Sequence, residues 1–356
     1  MWELCFDLQD YEIMSLMIWI LDNIVYEDEE SSYNILKSNF FQKKILSFYS
    51  NQSIISHLNE NNSNNIFFII IEIGISLLTH LLSTGSSSTY HKEEIYKLSL
   101  PVFGLILKYS ESNSQQIYHC CVYAINKAID NEPRLIPLID NSNLLNDILN
   151  KKYFSDDKIV LNCNTILGNY IENKSKLSDD FYYKCANYEM DILFGAKMPK
   201  LIIELFWVLS NIIYENTSIG EYLCKNEAFI DKAINIYKNL DNLHNISNMS
   251  YFFNSLVSSV HMNTFIKLVN KGLVDITLNY AKNNVDEPNK IKYIFQLIEV
   301  CLDIGELMQD NFIGKNIIKE KCDNYGLIDI LRNYENGYDN ELNIVVENII
   351  SNYYDE

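Results

Sequence analysis

The residues best suited to do chemistry in this chain lie in ELFWVLSN, Glu204 to Asn211. Trp207 and Asn211 are four apart and Glu204 precedes the tryptophan by three, so on a helix all three share one face. The chemistry they offer is recognition. A carboxamide carries both a donor and an acceptor, and can meet the unpaired N–H and C=O groups of an extended peptide whatever its side chains are. An indole plate holds the aliphatic stem of Lys or Arg and adds a cation–π attraction of about 0.5–2 kcal/mol. Carboxylates at the rim then select basic side chains.

This face recurs at a nearly constant interval, which predicts a repeat array. Forty-two residues before Trp207 stands Thr165, with Asn169 four after it in NTILGN; forty-two earlier again stands Tyr123 in VYAINK, with Lys127 four after it. A second complete copy is WILDN, with Trp19 and Asn23, followed by the acids Glu27, Asp28, Glu29 and Glu30. Between these copies the spacing points to Leu78 and Leu82 in LLTHLLS, a unit without polar recognition residues. The long step to that unit places a loop insertion at 59–65, and the polar tract 83–94 reads as a second one. Beyond Trp207 the next equivalent helix is YFFNSLVSSV, where Phe253 and Val257 take the aromatic and amide positions. With Glu204, the rim carboxylates would be Glu27 and Asp130.

The elements that must position these faces are helices. In 356 residues there are only 11 Gly and 5 Pro, too few for many hairpins or phosphate loops, while apolar residues and asparagine dominate. The length exceeds what one core usually serves, so a single open array over 1–356 is expected. Ser178–Lys197 should form two short helices, Gly272 should separate two helices, and Gly305 should end one. Ile66 to Leu82 approaches membrane-spanning length, but Glu72 and His80 interrupt it, and a buried solenoid helix is the expectation.

Charge excludes some functions. Lys+Arg 28 against Asp+Glu 47 leaves a net charge of −19, which repels nucleic-acid backbones and suits a basic partner. The eight cysteines show no CxxC pair, and the six histidines no HExxH spacing, so neither a zinc site nor a disulfide framework is indicated. No G-x-S-x-G or glycine-rich phosphate loop is present, so no enzyme, cofactor or metal is expected. The first residues, MWELCFDLQD, lack the basic region and apolar stretch of a secretory signal.

WILDN and ELFWVLSNI resemble the W-A-L-G-N and E-A-x-W-x-x-S-N-I elements that importin-alpha, the armadillo adaptor for nuclear localisation signals, carries on the third helices of its repeats. The ending YGLIDILRNYENGYDNELNIVVENIISNYY is similar to that family's last repeat. The resemblance implies a right-handed armadillo superhelix of about eight repeats that binds basic localisation peptides in a concave groove and works in cytoplasm and nucleus. By position, Trp19 and Asn23 stand in the third repeat, Tyr123 in the fifth, Asn169 in the sixth, Trp207 and Asn211 in the seventh and Phe253 in the eighth. The minor signal site is then better kept than the major one, although Thr165 stands where the family has arginine. The family's export receptor is a further partner that the resemblance implies for the C-terminal repeats. No basic arm precedes Trp19, so recruitment of importin-beta does not follow; the chain reads as an incomplete product or as a paralogue without that link, with Trp2, Leu4 and Phe6 as an improvised cap. The rival expectation is a degenerate armadillo scaffold that holds another protein without transport.

Overall fold

In the computed structural model the described residues are 10–51, 54, 66–83, 92–174, 176–283, 288–309, 315–334 and 340–354. They are helical throughout, with no strand among them, in two compact units, residues 1–175 and 176–356. The loop tract 59–65, residues 84–91 of the tract 83–94, and Trp2, Leu4 and Phe6 lie outside the described residues.

The first unit is built on four long helices, α1 (Tyr11–Glu27), α4 (Ile66–Ser83), α6 (Gln115–Asn131) and α8 (Asp157–Asn173), each packed along the next. Between them run α2 (Glu29–Lys37), a π-helical turn (Phe41–Ile45) leading into α3 (Leu46–Tyr49), α5 (Lys92–Tyr109), a 3-10 helix (Pro133–Asn141) and α7 (Leu144–Leu149). The second unit repeats the scheme. Its long helices are α10 (Pro199–Glu215), α13 (Leu243–Ser259), α16 (Pro288–Met308) and α19 (Asn340–Tyr353), again packed in succession. The others are α9 (Asp179–Gly195), α11 (Ser218–Cys224), α12 (Glu227–Lys238), α14 (Met262–Asn270), α15 (Leu273–Asn283), α17 (Ile317–Tyr325) and α18 (Leu327–Arg332).

Polar residues account for where these helices start. Asp10, Asp28, Ser114, Asp156, Ser178, Asn226, Asn242 and Asn316 each accept a hydrogen bond from the first turn they precede. Each such cap satisfies an otherwise orphaned N–H and contributes about 1 kcal/mol. Pro199 opens α10, where its missing N–H costs nothing. Gly272, at φ 92°, separates α14 from α15, and Gly326, at φ 72°, ends α17, both in the left-handed region open to glycine.

Two sequence expectations are corrected. Ser178–Lys197 forms one helix of 17 residues, α9, not two short ones, because Tyr182, Cys185, Ala186, Tyr188, Ile192 and Leu193 make a continuous buried stripe. Gly305 does not stop a helix; it lies inside α16, where Asn316, the cap of α17, closes in. A Cβ there would fall 2.2 Å from the Asn316 Oδ1.

The core explains part of the tyrosine content. In the first unit the buried Tyr109 hydroxyl donates to the Tyr49 carbonyl at 2.6 Å, and the Tyr49 hydroxyl donates to the Ile70 carbonyl at 2.9 Å. In the second, the Tyr280 hydroxyl donates to the carbonyls of Tyr237 and, at 3.0 Å, Leu240. Each phenol crosses from one repeated element to another while leaving no polar group stranded, a loss that would cost about 1–3 kcal/mol. Helix α4 is long and apolar enough to cross a membrane by length and composition. Here it is clamped between α1 and α6, with Ile70, Leu77, Leu78 and Leu81 fully buried. Burial also governs the thiols: it pushes Cys120 up to about 11 and Cys163 and Cys322 up to about 12, which keeps them protonated and unreactive.

Candidate functional site

In α10 the apolar residues Leu201, Leu205, Phe206, Val208, Leu209, Ile212 and Ile213 are buried, so the helix turns its remaining stripe outward. That stripe holds Glu204, Trp207 and Asn211, all partly exposed. The Asn211 Nδ2 is itself shielded from solvent and has no hydrogen-bond partner. A shielded amide donor without a partner is uncommon in a folded chain.

Behind this stripe, α9 packs on α10 and brings the fully buried Glu189 toward Glu204. Burial first, and the charge of Glu204 second, raise the Glu189 carboxyl well above its ordinary value of 4.5. A carboxyl with a raised pKa in the fold contributes stability that is fully present below the unfolded value of 4.5 and is lost as pH rises through the folded one. Glu189→Gln, which removes the titration and keeps the shape, is therefore expected to raise the thermal midpoint at pH 7 to 8, with the gain vanishing near pH 4.5. Unfolding scans at several pH values check this; an equal effect at all of them would remove Glu189 as the titrating group.

Burial fixes the register of the long helices. Residues Cys121, Ile125 and Ile129 on α6, Cys163, Leu167 and Ile171 on α8, and Leu205, Leu209 and Ile213 on α10 are all buried and all 42 apart from helix to helix. The next buried triplet is Met249, Phe253 and Val257 on α13, a step of 44. Phe253 is therefore the counterpart of Leu209, not of Trp207. It is fully buried between Tyr237 and Phe252, with ring centroids 5.1 Å away in each case. The outward positions on α13 are Tyr251 and Ser255, both partly exposed, and Tyr251 meets Tyr293 of α16 edge-to-face with ring centroids 5.3 Å apart. The sequence left this open, because Met249/Phe253/Val257 and Phe252/Leu256/Val260 are both apolar triplets spaced by four.

The same correction applies in α4. Leu78 and Leu82 are core residues at 0% and 4% exposure, and the outward positions are Ser76 and His80. Both reach Asp22 of α1, Ser76 Oγ donating to it at 2.8 Å and His80 Nδ1 lying 2.6 Å from its other oxygen. Trp19 on α1 is 54% exposed and Tyr123 on α6 is 47% exposed. The Asn23 amide folds back to donate to the Trp19 carbonyl at 2.8 Å, and the Thr165 hydroxyl bonds the Leu161 carbonyl. Asn169 is partly exposed, while Lys127 and Asp130 are exposed. The Glu27 side chain lies outside the described residues. The structure thus brings Trp19, Asn23, Tyr123, Thr165 and Asn169 onto outward stripes of α1, α6 and α8 in the first unit, and Glu204, Trp207, Asn211 and Tyr251 onto those of α10 and α13 in the second.

These features define an all-α repeat protein with one outward stripe on each long helix. Structural comparison agrees at the level of fold. An engineered protein of known structure matches 94% of this chain and 73% of its own at TM-score 0.64 and 11% identity. Two more engineered proteins match 71% and 70% of this chain, and 98% and 96% of their own, at TM-scores 0.54 and 0.52 and 10% identity. No protein-family model matches the sequence. No curated protein matches it either.

Proposed function

We propose that the chain is an adaptor of importin-alpha type, a right-handed armadillo array that binds extended Lys/Arg-rich segments of cargo for import into the nucleus, chiefly along the stripe of α10 and α13. The observation that carries the peptide-binding part is the shielded, unpartnered Asn211 Nδ2 one turn from the partly exposed Trp207, with Glu204 a turn before it. Tyr251 extends the aromatic surface on the next long helix. Glu299 of α16, partly buried and hydrogen-bonded by Asn348, adds a carboxyl near the same register. The transport part rests on the resemblance of ELFWVLSNI and WILDN to that family. Residence in cytoplasm and nucleus, and contact with the export receptor, follow from the same reading.

A second reading has its own support in the first unit, where the outward stripe is poor in recognition groups. Lys127 stands exposed at an amide position and repels a basic ligand, and His80 and Ser76 are engaged by Asp22. That stripe fits a scaffold that holds another protein better than it fits a signal site. The test is a titration of a fluorescent lysine-rich localisation peptide followed by anisotropy. Saturable binding that weakens as salt rises is expected, since the ligand's charges are read near the surface. No binding at 0.15 M salt would overturn the adaptor reading and leave the scaffold.

A further inference from the structure

Helix α5 and the 3-10 helix that follows α6 enclose an open groove of about 500 Å³ in the first unit. Arg134, at the start of the 3-10 helix, lies 4.1 Å over the Tyr96 ring and pairs with Glu93 at 2.9 Å, both near the start of α5. The two elements therefore begin side by side and run in the same direction, which gives the groove two unlike ends. Leu100, Leu107 and Leu138 line it around Gly104. Further along, Lys108, Glu111 and Asn141 stand exposed at its rim. None of these three side chains makes a hydrogen bond or an ion pair with another described residue.

The floor of the groove is shaped by a missing side chain. Glycine inside a helix is unfavourable, and at three other helical positions a neighbour requires it: a Cβ at Gly74, Gly220 or Gly305 would run into Tyr49, Ser259 or Asn316. A Cβ at Gly104 would meet nothing within 4 Å. Packing within the chain does not call for this glycine, and the space over it is room for a ligand. The volume lies in the usual range of small-molecule sites. Along α5 the lining is graded, open at Gly104, then a cation at Lys108 and an acid at Glu111 on the same face, with the Asn141 amide opposite. That order matches a molecule with an apolar body and a head that carries both a carboxylate and an ammonium. We propose that the groove binds a free α-amino acid with a large apolar side chain, its carboxylate against Lys108 and Asn141, its ammonium against Glu111 and its side chain over Gly104.

Titration calorimetry of the intact chain with L-leucine and L-phenylalanine tests this. Dissociation constants of about 0.1–1 mM are expected, the range open to so small a ligand. Glycine, leucinamide and N-acetyl-leucine lack the side chain, the carboxylate and the ammonium respectively, and each should bind at least about fivefold more weakly. Gly104→Leu, which fills the floor, should weaken binding at least about tenfold, and Lys108→Gln and Glu111→Gln about fivefold each. Trp207→Ala with Asn211→Ala should leave it unchanged. The three groove positions are exposed, and circular dichroism verifies the fold. Gly104→Ala should leave the thermal midpoint equal or higher, because alanine is the better helix former. No binding up to about 10 mM overturns the proposal, as does binding indifferent to Gly104→Leu or to both charge variants. Equal binding of leucinamide and N-acetyl-leucine overturns it too, and so does loss of binding in the Trp207 and Asn211 variant. A lower midpoint for Gly104→Ala would assign the glycine to packing and overturn it as well.

Discussion

Replacing Trp207 and Asn211 together by alanine is expected to weaken binding of a lysine-rich localisation peptide about 10- to 100-fold. The indole supplies a cation–π and stem-packing contribution of about 0.5–2 kcal/mol, and each amide hydrogen bond to the peptide backbone about 1 kcal/mol net. Together that is about 1.5–3 kcal/mol, at 1.4 kcal/mol per tenfold in affinity. Neither residue belongs to the buried set of α10, so the helix should stay folded, which circular dichroism can verify. The matching double substitution at Trp19 and Asn23 is expected to cost only about threefold, because the Asn23 amide already commits one of its two N–H donors, and its orientation, to the Trp19 carbonyl. An affinity unchanged by the Trp207 and Asn211 pair would place the peptide elsewhere and remove the stripe of α10 as the site.

Phe253→Ala is expected to destabilise the second unit by about 3–5 kcal/mol, the usual cost of emptying a packed aromatic site. The ring is fully buried against Tyr237 and Phe252, and Tyr237 is in turn tied to Ser250 at 2.8 Å and accepts from the Tyr280 hydroxyl. A hole at Phe253 therefore loosens the contact that joins α12, α13 and α15. Tyr251→Ala, one helical face away, should change stability by less than about 1 kcal/mol while weakening peptide binding. Because a chain of two units need not unfold in one step, hydrogen exchange within residues 176–356 is the appropriate measurement. A stability loss at Tyr251 with little at Phe253 would reverse the assignment of the two aromatics.

That pair of aromatics shows where sequence pattern stops. Phe252, Phe253 and Tyr251 are adjacent and all large, so a helix-period template fits with any of them outward. The stripe of α10 was legible because Trp207 and Asn211 interrupt an otherwise apolar run at helical spacing. The constant step of 42 through Tyr123, Thr165 and Trp207 was legible for the same reason, and it breaks down at α4 and α13, where the intervals change. Ser76 and His80 were missed because their polar character is explained only by Asp22, which lies 54 and 58 residues away in the chain.

The sequence by itself determined that this protein is a stack of helices. Scarce glycine and proline leave little else for the backbone to do, and asparagine, aspartate and serine at helix starts set many of the boundaries. Only the tertiary structure decided which apolar residues are covered. Periodicity shows that a helix has an apolar face; it does not show whether a neighbour arrives to bury it. Leu77 on α4 and Ile20 on α1 have the same place in the pattern, yet one is fully buried and the other 44% exposed, because a packed neighbour covers the first and the second stays open. Glu189 makes the same point for charge: its carboxyl is an ordinary acid in the sequence, and burial behind α10, together with the charge of Glu204, raises its pKa well above the ordinary value.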